Sequence, residues 1–514
     1  MSLNLDCLPS LVLSLIYDQI YLSSPNTLRC LLLVSRGCYH AAVPYVYRNL
    51  SLMVSSHKGL HEDCAELQEN RLGSQFLVHV RCLKVWGYLP LLTEEDSPEF
   101  EEFPDYPEEW DPEHGHVFYG DRPDGSAEEV QEAWKPLVTI IQKSHHISDF
   151  IWICLNQLPP CLLKAVEQSH PTSRLHMRSF RLRSLCSDED HGITDPHELD
   201  LIQSPNLHSI SVRVTTSGID GKPDYNKDAI FQVAAVAANL KHVNIVKTRP
   251  ASSPEVMRYY MQGGSGSPQP WKGFVPPLEF SKKGELISLT YSGDPGVELG
   301  ELLEWSHCID LSKIRYLILG QVSDRQVINS VARTKFTSLE MLDVLPTDAT
   351  ASEIEHMMDC LPPLKDLRLV CNIPFSSMEK VLQRHGPTLR RMTIHHRMSL
   401  KQLKKVMCYC PFLEYLHMGI PNWVIASLND NSLSDFSLSG FLPEFPQNHY
   451  LQVLSLSFTG IFSVPSDITS LHKMAPKIWD VINNDKSGFR LERLIVIGGH
   501  VSPPLPPFSF RHYY

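Results

Sequence analysis

The alternation of apolar and polar positions changes period along the chain. A short phrase, L-x-x-L-x-L with conservative substitutions, appears as Leu339-x-x-Leu342-x-Val344, Leu364-x-x-Leu367-x-Leu369, Leu389-x-x-Met392-x-Ile394 and Leu413-x-x-Leu416-x-Met418. It returns at Leu433-x-x-Phe436-x-Leu438, Leu451-x-x-Leu454-x-Leu456 and Leu491-x-x-Leu494-x-Val496, and upstream at Ile314-x-x-Leu317-x-Leu319. Looser versions sit at Leu286, Leu240, Leu207, Met177, Ile147 and Val80. From Ile314 to Leu413 the starts are 25, 25, 25 and 24 residues apart. The last two apolar positions of each phrase alternate with period two, so they share one side of a short strand. Between phrases the spacing is helical: Ile354, Met357 and Met358 before Leu361, or Leu400, Leu403 and Val406 before Cys410. A strand and a helix every ~25 residues form a unit that cannot bury its apolar side alone, so units must stack. The breaks Leu361-Pro362-Pro363, His385-Gly386-Pro387 and Cys410-Pro411 each end a helix and launch the next strand.

These phrases resemble the leucine-rich-repeat family, in the variety whose helix ends near C-P-x-L-x-x-L. Cys410-Pro411-Phe412-Leu413-Glu414-Tyr415-Leu416 is the best match. The resemblance implies an α/β solenoid over about 75–500, a horseshoe of short parallel strands and helices. The family's asparagine after the last leucine is present at Asn372 and replaced at Thr347, Arg397 and Thr459. The 18 residues between Leu433 and Leu451 are too few for a helical return and predict a loop. A Gly/Ser/Pro-rich run at 262–277 predicts a surface insertion.

Charge changes the picture in one place. The chain of 514 residues carries a formal net charge of -12. Sixteen Asp and Glu against one Arg fall between Thr93 and Glu132, a local -15 that leaves the rest at +3. The proline-studded stretch 93–132 therefore predicts a flexible acidic loop, either a contact for a basic partner or a tolerated insertion. Thirteen cysteines without a C-x-x-C pair predict reduced thiols, with Cys82, Cys154, Cys360 and Cys371 as small buried hydrophobes. The apolar start, Leu8 to Leu22, has no basic leader, so no signal peptide is expected; nor is any membrane span, since no run of ~20 apolar residues occurs.

The first fifty residues follow a different rule. Leu8-Pro9 opens a helix with Leu11, Val12, Leu15, Ile16 and Ile20; Ser24-Pro25 supplies an N-cap and an N1 proline for a second, with Leu28, Leu31, Leu32 and Val34. A third is expected from Tyr39 to Arg48, broken or restarted at Pro44. Three short helices cannot hide so many leucines, so the surplus must face the repeats, a partner, or both. Leu8-Pro9, Leu33-Val34-Ser35-Arg36 and Ala41-Ala42-x-Pro44-x-x-Tyr47-Arg48 together resemble an F-box over 1–52, a small all-α module preceding the solenoid. Leu11 stands where the motif usually has Glu, and Tyr39 where it has Trp.

The resemblance implies a substrate receptor of a Skp–cullin–F-box (SCF) ubiquitin ligase. Leu8, Pro9, Leu13, Ile16, Leu33, Val34 and Ser35 would lie on or beneath the contact with the Skp adaptor. Residues flanking the buried leucines would face a protein target across a concave sheet: Asp366, Arg368, Arg391, His395, Tyr415, His417, Asp435 and Arg493. The alternative is a scaffold outside any ligase, with the N-terminal helices capping the repeats. No phosphate loop, metalloprotease pair or nucleophile elbow occurs. No catalytic group, cofactor, metal, nucleic acid or membrane is therefore expected, and a cytoplasmic or nuclear location is. His145-His146 and His395-His396 are neighbours whose side chains diverge on a strand. Asp188-Glu189-Asp190-His191 reads as a solvated loop. Pro503-Pro504-Leu505-Pro506-Pro507 reads as a polyproline tail, packed on the last repeat or offered to an SH3-type domain.

Overall fold

Leucines placed two residues ahead of a strand mark most rungs of the later half of this protein, from Leu240 onward. The computed structural model describes residues 8–69, 75–89, 127–186, 195–215, 225–248, 271, 273–274, 283–293, 296–347, 349–371, 373–397, 400–419, 451–458 and 493–498. The chain divides into two compact units, Met1–Glu285 and Leu286–Tyr514. Each is an α/β, solenoid-like stack of parallel strands joined through helices.

The first unit opens with α1 (Ser10–Ser23), α2 (Pro25–Leu31) and α3 (Arg36–Val46). Then come β1 (Asn49–Val54), α4 (His57–Glu69), β2 (Cys82–Gly87), α5 (Ala127–Lys143), β3 (Asp149–Cys154), α6 (Pro160–Ser169) and β4 (Arg174–Phe180). It continues through α7 (Pro196–Gln203), β5 (Leu207–Thr215), α8 (Asn226–Val236) and β6 (His242–Thr248). Each strand pairs in parallel with the next in sequence, from β1 to β6. β2 ends on Gly87, whose φ of 118° and whose absent Cβ, which would meet the Val54 carbonyl oxygen at 2.1 Å, both require glycine.

The second unit holds β7 (Ser288–Gly293), α9 (Leu299–Cys308), β8 (Tyr316–Val322), α10 (Arg325–Arg333), β9 (Met341–Pro346), α11 (Ala351–Cys360) and β10 (Asp366–Leu369). It continues with α12 (Phe375–His385), β11 (Arg391–Arg397), α13 (Leu400–Tyr409), β12 (Tyr415–Gly419), β13 (Val453–Phe458) and β14 (Arg493–Gly498). These strands also pair consecutively and in parallel. Leu342, Leu367, Met392 and Leu416 are register partners, and all are fully buried together with Ile354, Met357 and Met358 of α11. One side of the sheet thus packs into the core, as the phrase requires. The helices end where the proline breaks stand, at Cys360, His385 and Tyr409. A capping box starts α11: the Thr350 hydroxyl accepts from the Glu353 N–H, and Glu353 reaches back to the Thr350 N–H at 2.7 Å.

Several expectations are corrected. Residues 1–52 are not all helical, because Asn49 already begins β1, which pairs with β2. The third helix starts at Arg36, capped by the Ser35 hydroxyl, and contains Pro44. Proline is tolerated there because it falls in the last turn, where its missing N–H costs one hydrogen bond. Ser24 makes no side-chain cap; its hydroxyl meets that of Thr27 at 2.9 Å. Met177 lies inside β4 rather than two residues ahead of it. β12 pairs directly with β13, and the phrase at Leu433 with the loop expected after it lies outside the described residues. Helix α5 claims 127–132 from the expected acidic loop, and 93–126 lies outside the described residues. Within the expected surface run 262–277, Phe274 is buried and meets Trp271 edge-on at 4.9 Å; 262–270, 272 and 275–277, with Asn372, Asp188–His191 and the proline tail, lie outside the described residues.

Among the described residues Cys30, Cys38, Cys64, Cys82, Cys154, Cys161, Cys308, Cys360, Cys371, Cys408 and Cys410 are free thiols. Cys154 is buried and Cys82 and Cys371 are half-buried, but Cys360, at the last position of α11, is exposed. Burial pushes the Cys410 thiol up to about 12 and raises Cys154 well above its ordinary range. Under native alkylation at pH 8, Cys30, Cys360 and Cys408 should label within minutes while Cys154 and Cys410 stay unmodified. Early label on either buried thiol, read by peptide mass spectrometry, would contradict this packing.

Candidate interaction surfaces

Helix α1 is apolar on two sides. Tyr17 is buried with Leu28 and Ala42, and Leu13, Ile20, Tyr21, Leu31, Leu32, Tyr45 and Val46 pack around that nucleus. The rings of Tyr17 and Tyr45 stack at 6.0 Å. At 100° per residue, Leu11, Leu15 and Leu22 fall within about 40° of one another, on the side of α1 opposite Leu13, Tyr17 and Ile20. All three are exposed, Leu11 at 73% and Leu15 at 62%. In the turn between α2 and α3, Leu33 is 88% and Val34 63% exposed. A cluster of this size on a small module is an unmet burial demand of about 1.5–3 kcal/mol per side chain.

The residues expected at an adaptor contact separate into two groups. Pro9, Leu33 and Val34 are exposed, Leu8 and Ile16 are half-buried, and Leu13 packs on the module's own core. Ser35 spends its hydroxyl accepting the Cys38 N–H at 3.1 Å. Leu11, Leu15 and Leu22 were missed. The signal for them was a helix with more leucines and isoleucines than one side can hold, which a three-helix module cannot bury on every side.

The second surface is the sheet side facing away from the buried leucines in the Leu286–Tyr514 unit. Tyr316, Met341, Asp366, Arg391 and Tyr415 are register partners across β8 to β12. Ile318, Asp343, Arg368, Thr393 and His417 form the next row. Arg368 donates to Asp343 at 3.2 Å, and the Arg391 Nε lies 3.5 Å from Asp366. Burial pushes the carboxyls of Asp343 and Asp366 up to about 6, outweighing the adjacent arginines. The guanidinium of Arg391 also stands over the Tyr415 ring at 5.4 Å. His417, expected to reach outward, is instead fully buried and bonded through Nδ1 to the Ser455 hydroxyl at 2.8 Å. A β-strand position flanked on both sides by paired strands leaves its side chain little solvent, which is why outward direction did not mean exposure. The side chains of His395 and Arg493, and all of Asp435, lie outside the described residues.

Two histidine arrangements had no signature in the sequence. In the first unit the Asp149 carboxylate meets the His176 Nε2 at 3.0 Å, and the His176 Nδ1 meets the Ser209 hydroxyl at 2.8 Å. An Asp–His–Ser chain suggests a nucleophile, but Ser209 is buried and Asp149 is also clasped by Arg174 at 2.8 and 3.0 Å. The same His–Ser bond recurs between register partners His417 and Ser455. A bond repeated between register partners in both units is architecture. The rings of His176, His208 and His242 stack edge-on across three strands at 5.6 and 5.2 Å. Burial lowers His208 to about 4 and His242 to about 3, so the stack is uncharged at neutral pH.

The other arrangement is a clamp. His385, last in α12, holds the Met358 carbonyl through Nε2 at 3.0 Å, and its Nδ1 accepts the Leu364 N–H at 3.3 Å. His170, just after α6, repeats this with the Ile141 carbonyl at 2.9 Å and the Ile147 N–H at 3.5 Å. Both tie a helix end to the helix-to-strand junction one unit earlier. Beside it runs a charge ladder, Arg315–Glu340–Lys365, with contacts of 2.7 and 3.1 Å. Burial works against ionisation of Glu340, but hydrogen bonds from Lys365 and Arg315 hold it below the usual range.

Among the described residues no group of three or more His, Cys, Asp or Glu is arranged to hold a metal ion. None of the described helices is long and apolar enough to cross a membrane. The fold defines a class, a repeat-built α/β protein with a small helical module at its start. No protein-family model matches the chain, and no curated protein matches it.

Proposed function

We propose that this chain is a substrate receptor of an SCF-type ubiquitin ligase: an F-box module docks the Skp adaptor, and a leucine-rich-repeat sheet presents a target protein. The observation that carries the reading is the set of exposed leucines Leu11, Leu15 and Leu22, which share their side of α1 with Asp18, together with Leu33 and Val34, on a module that has already closed its own core. A helix pays for two apolar sides only when something covers the second. The sheet surface supplies tyrosine, arginine and aspartate in register, a composition suited to a polar protein partner. The chain on this reading works in the cytoplasm or nucleus and contributes proximity, while ubiquitin transfer belongs to other subunits.

The test is capture of purified Skp adaptor by the full chain, compared with Leu15→Asp and Leu33→Asp. The intact chain should bind, and each variant should lose roughly 10-fold or more, the equivalent of one buried leucine. Both variants should keep the parent melting profile, because neither side chain is in the module's core. An intact chain that fails to bind the adaptor would leave a capping role for α1–α3 within a scaffold.

A further inference from the structure

Two Asp–Arg pairs occupy matching places in the two units, and they differ. Asp149 and Arg174 are register partners on β3 and β4, and Asp366 and Arg391 are register partners on β10 and β11. The first pair is closed: the Arg174 Nε and one terminal nitrogen donate to the two carboxylate oxygens at 2.8 and 3.0 Å. In the second, the Nε of Arg391 stands 3.5 Å from Asp366 and makes no hydrogen bond with it. Tyr415 supports the guanidinium from one face. The two terminal nitrogens of Arg391 have no partner among the described residues, and its side chain is 38% exposed. Asp366 on the Nε side and Tyr415 beneath therefore fix an arginine whose remaining edge is a vacant two-donor fork.

We infer that Arg391 is a docking anchor for a carboxylate carried by an acidic segment of the bound protein. A carboxylate matches the planar fork with two parallel N–H···O bonds. A cation is disfavoured because the open edge consists of donors only. A phosphate is the competing anion, since it offers the same fork two acceptor oxygens, and the phosphoserine arm of the test separates it from a carboxylate. Tyr316 and Tyr415 lie in the same row as Arg391 and give the segment aromatic surface on either side. The inference rests on reading this sheet surface as the one that meets the target; it does not depend on the adaptor.

Fluorescein-labelled nine-residue peptide pools, random except for a central Glu, Gln, phosphoserine or Lys, test it by fluorescence polarisation on the full-length protein. The Glu pool should bind about tenfold tighter than the Gln pool, the gain expected of a charge-assisted pair. Arg391→Gln and Arg391→Lys should both abolish that preference, since lysine keeps the charge and loses the fork, with unfolding midpoints unchanged. Equal binding of Glu and Gln pools, a preference that survives Arg391→Gln, or tighter binding of the phosphoserine or Lys pool would overturn the assignment. Leu15→Asp should behave as the parent here, so failure of adaptor capture and failure of this preference are separate results.

Discussion

With His385 replaced by alanine, the Leu286–Tyr514 unit should lose about 2–4 kcal/mol of stability. The Met358 carbonyl keeps a second donor, the Leu361 N–H at 3.3 Å. The Leu364 N–H, by contrast, has no other acceptor among the described residues, and it becomes a buried orphan beside the hole left by the ring. Urea unfolding should show the loss, and hydrogen exchange should place it at the start of β10. The effect has a pH signature. Because Nδ1 accepts a hydrogen bond and burial is the main cause of the lowered His385 pKa, the folded state holds the neutral ring. The unfolded ring titrates near ~6.5. The stabilisation is therefore complete above that value and declines as pH falls below it toward the folded pKa. The stability gap between parent and variant should narrow from pH 7.5 to pH 5. A gap that stays constant or widens in acid would show that the clamp is not a neutral acceptor.

Trp152→Ala should be the most damaging single change in the other unit, costing about 3–5 kcal/mol and lowering its melting temperature by roughly 10 °C. Trp152 is fully buried, 5.1 Å from the ring of Trp134 and 6.3 Å from that of Phe150. Its indole N–H donates to the Asn156 carbonyl at 3.0 Å. The Asn156 side chain in turn accepts the Leu89 N–H at 2.7 Å and donates to the Leu89 carbonyl at 3.0 Å. Truncation thus opens a cavity and loosens the turn that carries the chain out of β2. Trp152→Phe fills much of the volume and loses only the hydrogen bond, so it should cost less than half as much. Calorimetry of the two variants decides this; equal losses would mean that the hydrogen bond, not the volume, dominates.

What could be read from the chain, and what could not, follows from distance along it. The phrase is local: Leu364, Leu367 and Leu369 announce a rung without knowledge of its neighbours, and β10 follows two residues after Leu364. Helix ends were equally local, because proline and glycine act where they stand. β1 escaped because Asn49–Val54 follows directly on the F-box-like residues and its phrase is imperfect. The His385 clamp joins residues 21 and 27 positions apart, and the His176 bond to Ser209 spans 33. Such partners meet only once the register is set, and no short motif encodes register. On α1, every leucine looked alike until Leu13 and Tyr17 claimed one side and left Leu11 and Leu15 on the other. Direction was readable on the sheet as well; exposure was not, as buried His417 shows.

The clamp has a consequence for the order in which the protein is made. Each one closes backward, from a helix end to a junction already synthesised, so Leu364 waits for a residue 21 positions behind it on the ribosome. Ile147 waits in the same way for His170, 23 positions later. A nascent chain paused within either interval displays a junction whose backbone donor is still satisfied by water. At these two joints, then, the later helix locks the one before it.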